Sequence, residues 1–380
     1  MNSPIKCWYI DHAFDQTEGG PCCFQPIGHI KNFREMREHE DYIKIKTNFE
    51  NGKWTENFCT KCREVEDSNP NLQISKRQTS IFLYRRLTAE QAKEKKLVSI
   101  VFDTGNHCNL QCRSCSPMHS SSWVSEMQSI SYVPRKEMQS HWVKDNLNKV
   151  KNITVWPSND YDFTDDFTSL RYVNFIGGEP LYNTSFIKTA LDKIYESVGS
   201  KCHISIQTNA TISYKIVMPL LSRFDNVEFS LSLDAIGQAS DFIRTGSSWD
   251  SILENIKFYV SQKNIKLNCH TTHSVLNLFE LVKLRDFLNE YNIANSDEKS
   301  FVSWPSHLKC DILTEGQREK VVAYLAENDL EYVANYVKNS NFNSNEKVKF
   351  LKFMDHTKQY HGMSWQEYLP ELYDIITTEI

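Results

Sequence analysis

The chain has 380 residues, of which 40% are hydrophobic and 24% charged, so it has the composition of a globular protein with a sizeable core. It carries 43 Lys and Arg against 48 Asp and Glu, a formal net charge of −5, which excludes an overall basic field that would attract nucleic acid. No apolar run approaches the roughly 20 residues of a membrane span, and the first residues lack the pattern of a secretory signal. We therefore expect a cytoplasmic protein.

Residues 1–96 are polar and irregular in pattern, and they contain five of the eleven cysteines. One helix is predicted over residues 32–49, and the pair Asn51-Gly52 predicts a turn. The total cysteine content is far below the roughly 8–10% of disulfide scaffolds. Grouped cysteines in a reducing compartment instead indicate metal or redox chemistry. We interpret residues 1–96 as an N-terminal cysteine-rich module with its linker.

From residue 97 short β-rich runs alternate with amphipathic helical stretches, which predicts repeated βα units and a parallel sheet. Six units are too few for a closed eight-stranded barrel. We predict an α/β fold, a partial (β/α)6 barrel over residues 97–312. The predicted strands are residues 97–103, 171–177, 202–208, 227–234, 265–271 and 300–304, and the predicted helices are residues 184–198, 248–262 and 278–291.

A helical C-terminal extension is predicted for residues 313–380. It is broken by the Asn/Ser-rich stretch at residues 339–345. A final amphipathic helix is predicted over residues 365–380, interrupted or begun near Pro370.

The sharpest motif is a set of three cysteines directly after the first predicted strand of the barrel. Cys108, Cys112 and Cys115 are separated by three and then two residues. Three thiolates at this spacing can bind three irons of a cubic iron–sulfur cluster and leave the fourth iron open to a small molecule. The alternative is a zinc site, in which His107 or His119 would be the fourth ligand.

These cysteines, together with Gly177-Gly178-Glu179-Pro180 at the end of the second predicted strand, resemble the motifs of the radical S-adenosylmethionine (SAM) superfamily. The resemblance implies a 4Fe-4S cluster that binds SAM and a partial barrel of the radical SAM type. It also implies a set of SAM-binding residues: Gly177, Gly178, Glu179, Gln207, Asn209, Ser232, Asp234 and Arg244. Ser114 stands where the superfamily commonly has an aromatic residue, so adenine stacking would come from elsewhere.

The N-terminal cysteines form a second candidate metal site. Cys59 and Cys62 are a pair with two residues between them, and Cys7 and Cys22 complete a set of four, with Cys23 as the alternative to Cys22. The set resembles an auxiliary iron–sulfur module of the SPASM/twitch type, placed before the barrel instead of after it. Spacing alone does not separate a second iron–sulfur cluster from a structural zinc ion, and we favour the cluster.

The resemblance implies an enzyme that reductively cleaves SAM to a deoxyadenosyl radical, which abstracts a hydrogen atom from a peptide or small polar metabolite. The second cluster would assist electron transfer or substrate binding, and a flavodoxin or ferredoxin would be the reductant. The alternative is a non-catalytic metal-binding interaction protein with a structural zinc or iron–sulfur site near its N-terminus. We expect Cys202, Cys269 and Cys310 to be core residues. His270 and His273 are candidates for an acid or base, although hydrogen bonding is the commoner role at a strand end.

Overall fold

A computed structural model describes residues 5, 7–17, 19–22, 27, 30–55, 58–68, 75–78, 93–129, 161–295 and 300–378. Cys23 lies outside the described residues. The strands, in chain order, are β1 (Ala13–Asp15), β2 (Ser99–Asp103), β3 (Gln111–Cys112), β4 (Tyr172–Ile176), β5 (His203–Thr208), β6 (Asn226–Ser232), β7 (Arg244–Thr245), β8 (Ile265–His270) and β9 (Ala294–Asn295).

The helices of the described residues lie before, between and after these strands. They are α1 (Trp8–His12), α2 (Phe33–Glu38), α3 (Glu40–Glu50), α4 (Thr60–Ser68), α5 (Trp123–Ser129), α6 (Thr184–Val198), α7 (Tyr214–Leu221), α8 (Gly237–Ile243), α9 (Trp249–Val260), α10 (Leu281–Glu290), α11 (Glu315–Glu327), α12 (Glu331–Lys338), α13 (Ser344–His361), α14 (Trp365–Tyr368) and α15 (Pro370–Thr377). None of them is both long and apolar enough to cross a membrane.

One parallel sheet of seven strands organises the molecule, in the order β1-β2-β4-β5-β6-β8-β9. The spatial order is the chain order, and among the described residues the two edge strands β1 and β9 do not pair with each other. Strands added successively on the same side are the arrangement of a (β/α) barrel, and the unpaired edges leave this one open. The predicted α/β fold with an open, partial barrel is confirmed.

The two faces of the sheet differ in polarity because apolar and polar residues alternate along each strand. Phe102, Phe175, Ile206 and Phe229 lie in register across four strands and are fully buried. The neighbouring row on the opposite face carries Asn174, Ser205, Glu228 and Lys266. Such alternation is unusual for a parallel sheet, whose strands are commonly apolar on both faces. The apolar face carries the core, and the polar face is free to line a site.

Five of the six predicted strands are confirmed, and the sixth is wrong. Residues 300–304 make only an isolated bridge, in which Phe301 pairs with His273. The Phe301 ring stacks on Tyr336 of α12, with centroids 3.6 Å apart, so packing against the C-terminal extension takes this segment out of the sheet. Ala294–Asn295 forms the edge strand instead. The parallel sheet therefore still contains six strands after residue 97.

The predicted helix over residues 32–49 is divided in two. His39 has an extended backbone and its ring accepts a hydrogen bond from the Asp41 amide, so it ends α2 and caps α3. The helix predicted at residues 184–198 is confirmed with the same ends. The final helix is interrupted at Leu369, directly before Pro370, because a residue before proline disfavours the helical conformation.

The N-terminal residues share the sheet and the main core. Ala13–Asp15 pairs in parallel with Ser99, Ile100 and Val101, and Phe14, Met36 and Tyr42 belong to the same hydrophobic cluster as the barrel strands. The division of the chain at residues 96 and 312 stays a prediction.

The C-terminal helices form a second core. Val321, Phe350 and Phe353 pack in one cluster with Trp123, Phe242 and Ile243, which lie in or beside the loops that follow β3 and β6. The extension therefore contacts the loop side of the barrel, where the candidate site lies.

We predict that Phe102→Ala lowers the free energy of unfolding by about 3–5 kcal/mol, because it leaves a cavity among packed rings. The Phe102 ring lies 5.0 Å from Tyr161, 5.3 Å from Phe175 and 5.7 Å from Phe186. Urea unfolding measures the change. Val260→Ala is the control, since Val260 is 45% exposed and the loss there should stay below about 0.5 kcal/mol. Equal losses for the two variants would contradict the assigned core.

Candidate functional site

A cavity of about 680 Å³ lies at the carboxyl ends of the sheet strands, which is where barrel-like α/β proteins place their chemistry. Of the residues predicted from the sequence, it is lined by Cys108, Cys112, Cys115, Gly177, Gly178, Gln207, Asn209, Ser232 and Arg244. Glu179 and Asp234 do not line it and lie directly behind this wall. The structure thus brings together in one cavity residues as far apart in the chain as Cys108 and Trp304.

The three cysteines form one wall of the cavity, in the loop that follows β2. Cys112 ends β3, which pairs with β7, so that Cys112 lies opposite Arg244. The loop is held by its own hydroxyl groups, since Ser122 donates to the Cys108 carbonyl at 2.7 Å and Ser120 donates to the Leu110 carbonyl. In the described part of the chain, no three Cys, His, Asp or Glu side chains are close enough to hold a single metal ion. Ligands that bind different irons of one cluster stand farther apart than ligands of one ion.

The electrostatic state of these thiols fits metal binding. Burial, and then repulsion by Cys112, raises the pKa of Cys108 to about 12. The pKa of Cys115 is raised for the same two reasons. The pKa of Cys112 is raised by burial and partly lowered again by the Arg244 charge. Buried thiols stay neutral without a cation, and soft metals with thiolate ligands supply the charge that would ionise them.

Gly177 and Gly178 let the loop after β4 lie directly against the cysteine loop. The Gly178 amide donates to the Gly105 carbonyl at 2.7 Å, and the Glu179 amide donates to the His107 carbonyl at 2.9 Å. A Cβ on Gly178 would lie 2.7 Å from the His107 carbonyl oxygen, and Gly177 has a φ of +129°. The two glycines are therefore required for loop packing, besides any contact with a ligand in the cavity.

Glu179 joins two loops with its side chain. Its buried carboxylate accepts hydrogen bonds from the Leu181 amide at 3.1 Å, the Thr208 hydroxyl at 2.8 Å and the Asn209 amide at 2.7 Å. Burial raises the pKa of Glu179 to about 7, although these hydrogen bonds favour the ionised form. The contacts explain its place in the motif, and a direct role in SAM binding stays a prediction.

Arg244 carries a buried positive charge into the cavity beside the cysteine loop. Its Nη2 lies 2.9 Å from Asp234 Oδ2, and its Nη1 donates to Cys112 Sγ at 3.8 Å. Asp234 in turn accepts from the Thr272 amide at 2.9 Å. Burial would lower the pKa of Arg244, but Asp234 and the neighbouring thiols raise it, so the guanidinium is charged. Asp234 therefore orients Arg244, and Ser232 and Arg244 are the members of this group that line the cavity.

Asn209 contacts the same loop from β5, and Gln207 lies on the cavity wall. Asn209 Nδ2 donates to Asn109 Oδ1 at 3.1 Å and lies 3.9 Å from Cys108 Sγ. Two of the three cysteine sulfurs therefore have a polar N–H group of another strand beside them. Such N–H groups stabilise negative charge on cluster sulfurs.

The cavity also has lining residues that the sequence did not single out as ligands. They are Leu110, Ser114, Ser116, Ser120, Thr208, His270, Thr272, Ser303 and Trp304, and the candidate zinc ligand His119 lines the cavity beside them. Trp304 is the last residue of the segment predicted as the sixth strand, which does not form. An aromatic residue at that predicted strand end is the one sequence feature that could have indicated this lining residue. Of the two histidine candidates, His270 lines the cavity and His273 does not; His273 is buried beside Phe301.

Three of the N-terminal cysteines, Cys7, Cys59 and Cys62, interact electrostatically. Cys59 precedes α4 and Cys62 lies one helical turn later, and both are buried. Burial, and then electrostatic repulsion by Cys59 and to a smaller extent by Cys62, raises the pKa of Cys7 to about 12. Arg77, which pairs with Glu66 at 2.6 Å, also interacts electrostatically with Cys7 and Cys62. Cys22 is half-buried, and its membership of this group stays a prediction.

No family model and no curated protein matches this chain. Solved structures do match at low similarity. The native anSMEcpe with bound AdoMet is 15% identical over 64% of this chain and 63% of its own, with a TM-score of 0.37. SuiB of Streptococcus suis bound to S-adenosylmethionine is 17% identical over 75% of this chain and 59% of its own, with a TM-score of 0.34. TYW1 with a lysine-pyruvate adduct is 15% identical over 64% of this chain and 72% of its own, with a TM-score of 0.29.

The match therefore spans less than two thirds of the length of the first two of these structures. A TM-score below 0.5 carries no argument about function, so the functional conclusion depends on the residues of this chain.

We predict that Gly178→Ala impairs iron uptake by the cysteine loop, because the added Cβ would displace the backbone at residues 106 and 107. We expect a loss of about 1–3 kcal/mol in the free energy of unfolding. Iron content after anaerobic reconstitution, at equal folded fraction by circular dichroism, measures the local effect.

Gly199→Ala is the matched control. Gly199 has a φ of +66°, and a Cβ there meets no atom within 4 Å. Its substitution should cost only backbone strain of about 1–3 kcal/mol and leave iron uptake unchanged. Equal iron contents in the two variants would show that the contact between the loops does not support the site.

Proposed function

We propose that this protein is a radical SAM enzyme, which reductively cleaves SAM at a 4Fe-4S cluster and abstracts a hydrogen atom from its substrate. One observation carries the proposal: three thiols on a single loop form a wall of a 680 Å³ cavity that polar strand ends and a Gly-Gly backbone complete. The volume lies within the roughly 300–1,000 Å³ of sites for small molecules.

The residues present fit such a cofactor. Cys108, Cys112 and Cys115 would hold three irons, and no fourth thiol is placed on this wall among the described residues. Gly177, Gly178, Gln207, Ser232 and Arg244 line the space beside them and would hold SAM. The cluster, when bound, supplies the single electron that SAM cleavage requires.

The chain's own residues hold the site in place and set its charge. Arg244 and Asn209 place N–H groups beside Cys112 and Cys108, and this favours the thiolate form that metal binding needs. Asp234 and Glu179 fix the loops from behind, so the cavity wall is held in place before a ligand arrives.

We also propose a second iron–sulfur cluster on Cys7, Cys59 and Cys62 with Cys22 or Cys23, assisting electron transfer or substrate binding. The electrostatic interaction of Cys7 with Cys59 and Cys62 supports it. The substrate class we propose is a peptide or a small polar metabolite, with a flavodoxin or ferredoxin as reductant. The ten described cysteines are all free thiols, which supports a reducing, cytoplasmic location.

Anaerobically reconstituted protein, given SAM and dithionite, should release deoxyadenosine, measured by chromatography. Replacing Cys108, Cys112 and Cys115 by Ala should abolish the release, because the ligands of the catalytic cluster are removed. Cys202→Ala is the control, since Cys202 is a buried thiol outside the cavity wall and its loss should leave cleavage intact. Full iron loading of the wild type without deoxyadenosine release would contradict the enzyme and favour a non-catalytic metal-binding protein.

Iron and zinc analysis tests the second site. Two cubic clusters predict about eight irons per chain, and Cys59→Ala with Cys62→Ala should lower this to about four. SAM cleavage should persist in that double variant, while product formation or folding is impaired. About four irons with one zinc in the wild type would instead identify a structural zinc site, and wild-type turnover of the double variant would exclude an auxiliary role.

A further inference from the structure

A charge network with a fully buried ion pair at its centre connects the cysteine loop to the C-terminal extension, and the proposed function makes no use of it. Arg113 lies between Cys112 and Ser114. Its side chain and that of Glu126 are both 0% exposed, and Arg113 Nη1 donates to Glu126 Oε1 at 3.0 Å. Charged side chains are almost never fully buried without a specific partner.

Arg113 ties the cysteine loop back on itself. Its Nη2 donates to the Gln111 carbonyl at 2.8 Å, on the other side of Cys112. Its guanidinium lies 4.6 Å from the centre of the Trp123 ring, and the Trp123 indole N–H donates to the Cys112 carbonyl at 3.1 Å. The backbone on both sides of one cysteine is therefore held by a single arginine and the ring beneath it.

The other end of the network belongs to helix α13. His361 Nε2 lies 2.9 Å from Glu126 Oε2 and 3.2 Å from Arg113 Nη2. His356, on the same helix, has its Nε2 3.4 Å from Glu126 Oε1. Phe353 of α13 also lies under the Arg113 guanidinium, 5.7 Å from it.

The network holds Glu126 in its ionised form, which distinguishes it from ordinary core packing. Burial alone would raise the pKa of Glu126, but the His361 hydrogen bond and the Arg113 charge lower it below the ordinary value. Glu126 is therefore an anion that depends on both partners. Buried ion pairs are often no more stabilising than well-packed hydrophobic residues of similar volume, so stability alone does not account for these buried ions.

We propose that Arg113, Glu126 and His361 form a clamp by which the C-terminal helix α13 holds the cysteine loop in its metal-binding conformation. Arg113 is then a positioning residue, and the extension is part of the active site. The proposal rests on the proposed function in one respect, that the loop binds a cluster. The clamp itself is a property of the metal-free chain.

Hydrogen–deuterium exchange of the metal-free protein tests the clamp directly. In His361→Ala, amides of residues 106–122 should exchange about 10-fold faster than in the wild type, while the sheet is unchanged. Glu346→Gln is the matched control, because Glu346 lies on the same helix and binds Ser306 and Lys349, 15 residues or about 22 Å before His361. It should leave loop exchange at the wild-type rate. Unchanged exchange in His361→Ala would overturn the proposal.

Metal readouts extend the test to the loaded enzyme. His361→Ala and Glu126→Gln should lose iron to a chelator about 10- to 100-fold faster than the wild type, the range for groups that orient metal ligands. Glu126→Gln also removes a buried negative charge near the loop, so the cluster's midpoint potential should rise; a protonated carboxyl group that only filled space would leave the potential unchanged. Arg113→Lys keeps the positive charge but loses the two-pronged contact of the guanidinium with Glu126. We therefore expect this variant to keep the wild-type midpoint potential but to lose iron faster than the wild type.

The possible failures are distinguishable. If the wild type takes up no cluster, the proposed function fails, and the exchange comparison still decides on the clamp. If His361→Ala does not fold by circular dichroism, the nearly isosteric Glu126→Gln replaces it in the exchange comparison with the same expected result. Iron loss and midpoint potential at wild-type values in a folded Glu126→Gln variant would overturn the proposal.

Discussion

The close contact between the cysteine loop and the Gly177-Gly178 turn is the constraint on which the site depends. Backbone atoms of the two loops meet at 2.7–2.9 Å through the amides of Gly178 and Glu179. Each hydrogen bond joins the end of β2 to the end of β4, two strands that are already in register. The loop that carries the thiols therefore continues directly from the sheet, and the pairing of β2 with β4 determines its position.

Burial of charge is the second feature that shapes this region. Glu179, Asp234, Arg244, Arg113 and Glu126 all lie within or behind the walls of the site and are buried. Taking a charged group out of water is costly unless it is paired and hydrogen-bonded. Each of these groups has an ion-pair or hydrogen-bond partner on a different segment of the chain, which offsets that cost. The contacts also hold the segments together. The polar face of the sheet is thus stabilised by specific contacts, while the opposite face is stabilised by the ring packing around Phe102.

Local patterns predicted the features that depend on neighbouring residues. The helix Thr184–Val198 agrees with its apolar period, and the strands with alternating residues lie where that alternation places them. Predictions were wrong where contacts with a distant segment determine the local structure. Residues 300–304 have strand composition, but Tyr336 of the C-terminal extension stacks on Phe301 and only His273 offers a backbone partner. One wrong prediction has a local cause: His39 divides a continuous helical pattern because its ring caps the following helix.

The sequence by itself determined the fold class, the three-cysteine motif and nine of the residues that line the cavity, because spacing and strand-end position are local properties. Only the tertiary structure decided which of those residues face the cavity. Glu179 and Asp234 turned out to hold neighbouring loops, and the glycines serve loop packing as well as the cavity. It also brought His361 to a loop some 250 residues earlier in the chain. Contacts between buried charged groups form only in the folded chain, because they depend on all the segments that pack around these groups and exclude water.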